Sequence, residues 1–123
     1  MSFWRREVIQ PILDQDIELS IAEQLAILEQ EPGNSQAHFA VGTLYHFSGK
    51  RQTAVSHFKQ AIELDPTYAA PHVSLGRILA VEGREQEAWA HAREAERLGD
   101  RSLVEQLKRY AAPRPISSGL ADC

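Results

Sequence analysis

Cysteine is nearly absent from this chain. The single one, Cys123, has no partner for an intrachain disulfide and cannot build a thiolate zinc site. Without disulfides the chain reads as intracellular and cytoplasmic. No run approaches the roughly 18 apolar residues that a membrane-spanning helix needs, and Met1–Glu7 lacks the unbroken apolar stretch of a secretory leader. Stable membrane insertion is therefore not expected. Cationic charge is scarce as well: 13 Lys and Arg stand against 17 Asp and Glu, a formal net charge of −4. A field of that sign repels phosphate, so nucleic acid is not an expected partner. A phosphate-binding glycine loop, a nucleophile elbow and a paired-cysteine motif are also missing. No catalytic residue can be named, and the chain is not expected to be an enzyme.

What is present is one domain's length of ordinary globular composition, 43% hydrophobic and 24% charged over 123 residues. A domain of that size buries roughly two-thirds of its unfolded surface and needs no metal or disulfide to fold. Sliding the sequence against itself by 34 positions lays Ser35–Pro66 on Ala69–Asp100. His38 then falls on His72, Gly42 on Gly76, Gly49 on Gly83, Gln52 on Gln86, Ala54 on Ala88, His57 on His91, Ala61 on Ala95 and Leu64 on Leu98. Eight identities in 32 ungapped positions compare with about two for an unrelated pairing. The segment is duplicated, and a duplication of this period signals stacked structural repeats.

Each copy reads as two helices around a glycine turn. Phe39, Val41, Leu44, Tyr45 and Phe47 recur at helical spacing until Ser48-Gly49-Lys50 interrupts them. Ala54, Val55, Phe58, Ala61, Ile62 and Leu64 then resume the pattern. Asp65-Pro66 ends that helix, because proline disfavours the helical conformation in the residue before it. Thr67 or a neighbour is placed to cap the next helix, with Pro71 in its first turn, where a missing N–H costs little. Gly83 makes the second turn, and Gly99 ends the last helix as a left-handed C-cap. Gly42 with Ala54, and Gly76 with Ala88, let paired helices approach closely, with Tyr45, Phe58 and Leu79 filling the space beside them. One such hairpin cannot bury its own apolar face, whereas stacked neighbours can.

These residues resemble the tetratricopeptide repeat family, a 34-residue helix–turn–helix unit. The copy Ser35–Tyr68 supplies Val41-Gly42, Tyr45, Gly49, Ala54, Phe58, Ala61 and Pro66 of the family pattern, with His38 in place of the leading aromatic. The copy Ala69–Ser102 keeps Leu75-Gly76, Gly83, Ala88 and Ala95 but departs at His72, Leu79, Ala92 and Asp100. Carried backwards, the phase puts Trp4 at the leading aromatic and Pro32 at the closing proline, so Met1–Asn34 reads as a degenerate repeat. Its second helix is expected over Ile17–Glu31, with Ile21, Leu25, Ile27 and Leu28 on one side. Pro11 argues against a helix interior at its own position unless a kink or a helix start falls there. Leu103–Ala112 reads as a capping helix, with Leu103, Leu107 and Tyr110 on one face, and Pro113–Cys123 as a disordered tail.

The resemblance implies an all-α protein, an α-solenoid whose first helices line a concave groove. It also implies protein–protein interaction. Groove-facing positions are then Phe39, Thr43, His46 and Phe47 in the first copy and Val73, Arg77 and Val81 in the second. A mostly apolar strip with one arginine suits a partner peptide or amphipathic helix carrying an acidic group. Phe39, Phe47 and Val73 would be the apolar anchors, Arg77 the ion-pairing group, and His46 would add pH sensitivity. Only Arg77 is basic there, which argues against the carboxylate clamp that some members use on chaperone tails.

The alternative is a structural module whose groove or Trp4 surface pairs in a homo-oligomer, and Trp4 packed on Ile21, Leu25 or Leu28 competes with Trp4 as an exposed contact. The same phase puts His38 and His72 at the hairpin seams and His57 and His91 on the back. No histidine pair has metal-ligand spacing on one helix, so neither a metal nor a cofactor is expected. Glu82, Glu85, Glu87, Glu94 and Glu96, among Arg84, Arg93 and Arg97, read as a solvated ion-pair surface.

Overall fold

A computed structural model describes residues 10–111 of the chain, and every regular element among them is a helix. In chain order these are α1 (Gln10–Gln30), α2 (Ser35–Phe47), α3 (Arg51–Leu64), α4 (Ala69–Val81), α5 (Glu85–Arg97) and α6 (Ser102–Ala111). The chain divides into two compact units, Met1–Pro66 and Thr67–Cys123. The expectations for Trp4 and for the tail Pro113–Cys123 lie outside the described residues.

In the first unit α2 pairs with α3, and α1 packs on α2. α1 starts at Gln10 and runs unbroken to Gln30, earlier than the Ile17 start that the apolar pattern suggests. Asn34 caps α2 by accepting a 3.0 Å bond from the Ala37 N–H, and its own amide donates to Glu31. At the far end Gly49 adopts φ 86°. The Gly49 N–H then reaches the His46 carbonyl at 3.1 Å and the Lys50 N–H the Tyr45 carbonyl at 2.9 Å. Those two bonds satisfy carbonyls that a helix end otherwise leaves open, and the positive φ is why glycine stands there. The core consists of Ala37, Val41, Ala54, Phe58 and Ala61. A Cβ placed on Gly42 would lie 2.7 Å from the Phe58 ring and 3.2 Å from the Ala54 carbonyl, so the close approach of α2 and α3 requires a residue without one.

The second unit repeats this arrangement and adds a helix. α4 pairs with α5, and α6 packs on both. Tyr68, rather than Thr67, takes the N-cap position of α4, and its side chain makes no capping bond. Pro71 is buried in the first turn. Gly83 and Gly99 close α4 and α5 with the same pair of bonds seen at Gly49. The core cluster is Val73, Ala88, Ala92, Ala95, Leu103, Val104 and Leu107. Here the space over the small glycine is taken from outside the hairpin: a Cβ on Gly76 would overlap the Leu103 side chain of α6.

Candidate functional site

On α2 the four positions read from the sequence have different fates. Phe39 is half-buried, its ring 5.6 Å from that of Phe58 at 42°. The Thr43 hydroxyl donates to the Phe39 carbonyl at 3.0 Å, so it is occupied by its own helix. His46 is exposed. Phe47, the last residue of α2, is 73% exposed beside the Gly49 turn.

α4 shows the corresponding pattern in the second unit. Val81, 34 residues after Phe47 and again the last residue of its helix, is 76% exposed. Arg77 is exposed, and its Nε–H donates to the Gln106 side chain of α6 at 3.2 Å. Its charge also lies close enough to Asp100 to help lower that carboxyl's pKa, after the larger effects of the bonds from Ser102. Val73 differs from the expectation: it is 7% exposed and belongs to the core cluster with Ala92 and Leu103. The reason is Ala92, which stands where the first unit has Phe58. Its small side chain leaves room for α6, and α6 closes over Val73. Val73 therefore presents no free anchor.

The histidines meet across the hairpins. His38 Nδ1 lies 3.2 Å from His57 Nδ1, and His72 Nδ1 lies 3.0 Å from His91 Nδ1. This corrects the placement of His57 and His91 on the back of the second helices. Both face the seam, so each hairpin carries a histidine pair at a 19-residue separation. That recurring separation was the signal in the sequence. The ring centroids are 5.4 and 5.2 Å apart. In both pairs they exceed the nitrogen separation by the same margin, about one imidazole radius at each end. The two Nδ1 atoms thus lie nearly on the line joining the rings, and their lone-pair directions point head to head. That is the geometry of a linear N–H···N bond, in which one ring carries the Nδ1 proton and the other does not. Two nitrogens chelating a metal would instead converge at an angle on a third point. Among the described residues no group of three or more His, Cys, Asp or Glu is arranged to hold a metal ion.

Burial, and then the facing His38, lower the pKa of His57 from its ordinary 6.5, and Tyr45 stacks on the same ring at 5.7 Å. His72 is lowered chiefly by burial, with Glu94 pulling it up and Arg97 pushing it down by smaller amounts. On the surface of α5, Arg84 reaches Glu87 at 2.6 Å and Glu82 at 3.7 Å, and Arg97 pairs with Glu94. These pairs are solvated, as the sequence suggests.

No family model matches the chain, and no curated protein matches it in sequence. Among solved structures it is similar to a crystal structure of MamA, with a TM-score of 0.65 and 16% identity over 71% of this chain. A second match is MamA MSR-1 C2, with a TM-score of 0.62 and 26% identity over 72% of this chain. The fold is of the tetratricopeptide type. The chain spans about half the length of these MamA chains, 51% in each case. Among the described residues no helix is long and apolar enough to cross a membrane.

Proposed function

We propose that this chain is a tetratricopeptide repeat protein of the cytoplasm that acts as an adaptor or assembly factor. It binds a partner peptide or amphipathic helix, and its work is binding rather than catalysis. The observation that carries this reading is the pair of exposed apolar ends. Phe47 and Val81 occupy the same place in two hairpins, and each leaves about three-quarters of its side chain in solvent. Exposed aromatics are over-represented among residues that dominate interface energies, and an apolar residue kept exposed at both copies of a repeat is a feature that packing within a hairpin does not explain. Phe39 and His46 flank Phe47 on α2, and Arg77 lies one turn before Val81 on α4. Within the first unit these add an aromatic edge, and within the second Arg77 adds a cation for an acidic group on a partner.

Affinity capture from the source lysate tests this, using the wild-type chain beside Phe47→Glu and Val81→Glu. Both substitutions fall on exposed side chains, and unchanged circular dichroism confirms the fold. A protein retained by wild type and lost from the Phe47→Glu chain supports the reading. Retention of the same proteins by all three chains contradicts it. Recovery of the bait alone, with a mass that rises with concentration in light scattering, would assign these ends to self-association instead.

A further inference from the structure

Among the described residues, α1 has two apolar sides and packs through one of them. Ile17, Ser20, Ile21, Gln24 and Leu28 are half-buried at spacings of three and four, the side on which α1 packs against α2. The other described residues of α1 are exposed. They include Leu19 at 57%, Leu25 at 38% and Ile27 at 38%. At 100° per residue, Leu19, Ala22 and Ala26 fall opposite the packed side, and Leu25 borders it. Ala22, Leu25, Ala26, Leu28 and Glu29 line a surface depression. From Leu19 to Glu29 the strip is about 15 Å long, which matches two to three turns of a helix laid along it.

The charge that α1 itself carries has one sign. Between Glu7 and Gly49 the sequence has seven Asp and Glu and no Lys or Arg, and five of those carboxylates are on α1 itself. Glu18 and Glu29 stand at either end of the apolar strip, and Glu23 stands on its flank. A second copy paired through the same strip would bring carboxylates against carboxylates, which is unfavourable. An occupant with apolar side chains flanked by Lys or Arg would bury Leu19 and Leu25 and neutralise the acidic border at once.

The geometry points to this strip of α1 as a docking surface for a cationic amphipathic helix of a partner protein. It rests on the reading of the chain as an interaction module but concerns a different face from the ends of α2 and α4. The two fail separately: one is read from capture by Phe47→Glu, the other from variants of α1.

The probe is a short fluorescein-labelled helical peptide with Leu at helical spacing and Lys elsewhere, beside a counterpart with Glu in place of Lys. Anisotropy titration of the full chain should show binding of the lysine peptide and not of the glutamate peptide. Added salt should weaken it. The exposed double substitution Leu25→Lys, Glu29→Lys, with unchanged circular dichroism, should weaken it at least about tenfold. Equal affinity for wild type and this variant would overturn the assignment, as would no binding to either. Binding only by a full chain carrying Trp4→Ala, Arg5→Glu and Arg6→Glu would assign the strip to the chain's own first residues, which also overturns it. A concentration-dependent mass that Leu25→Lys abolishes would overturn it in favour of a second copy.

Discussion

The two hairpins solve one packing problem in two ways. In the first unit the approach of α2 to α3 at Gly42 is filled by Phe58 of the same hairpin, which is 1% exposed. In the second unit the equivalent position is Ala92, and the space over Gly76 is filled by Leu103, also 1% exposed, from α6. The first hairpin carries its own filler, whereas the second depends on the helix that follows it. That dependence has a functional consequence. α6 buries Val73 and places Gln106 against Arg77, and the exposed apolar residue of α4 is Val81 where α2 has Phe47. The same repeat thereby ends its first helix in an exposed phenylalanine in one copy and in an exposed valine, with a tethered arginine one turn earlier, in the other.

Removing either filler should have the largest effect on stability. Phe58→Ala should cost about 3–5 kcal/mol and Leu103→Ala about 2–5 kcal/mol, both read from denaturant unfolding. Equal resistance to both would mean that neither glycine contact matters. Ala92→Phe gives the second hairpin the first one's filler. Alone it overpacks, at about 1–3 kcal/mol. Combined with Leu103→Ala it should cost less than the two separately, and strict additivity in that double-mutant cycle would show that the two side chains do not share a space.

Acid should act on both hairpins alike. The folded pKa values of His57 and His72 lie below the ordinary 6.5. The unfolded chain then binds more protons, and stability falls as pH drops from about 6.5 through the folded values. Doubly protonated pairs would also set two N–H groups head to head. Thermal unfolding from pH 7.5 to 5 should therefore show a falling Tm, with a shallower fall in His57→Gln and a similarly shallow one in His72→Gln. A pH-independent Tm would exclude the shared-proton bonds. The smallest effect belongs to the surface: Arg101→Ala, which removes exposed contacts to Glu96 and Glu105 at 3.4 and 3.1 Å, should change stability by about 0.5 kcal/mol or less.

Local signals were legible in the sequence. Glycine at positions 49, 83 and 99 announced the left-handed turns because no other residue adopts them without strain, and Asp65-Pro66 announced a helix end. The close approaches at Gly42 and Gly76 followed from the small residues opposite them. Features that depend on rotation or on distant partners were not legible. One residue of helical phase is 100°, enough to move His57 and His91 from the back to the seam. Val73 looked like an anchor because its burial depends on Ala92 being small and on α6 docking some 30 residues later. The reach of α1 before Ile17 was hidden by Pro11, which reads as an interruption although helix is described on both sides of it.

On the proposed function, the exposed ends of α2 and α4 bind a partner, with the aromatic copy contributing more. The most direct measurement is the Kd of the captured partner, as a purified protein, for wild type, Phe47→Glu and Val81→Glu. Loss of an aromatic anchor should weaken binding at least about tenfold, with a smaller loss for the valine. Affinities unchanged in both variants, with the fold intact, would contradict it.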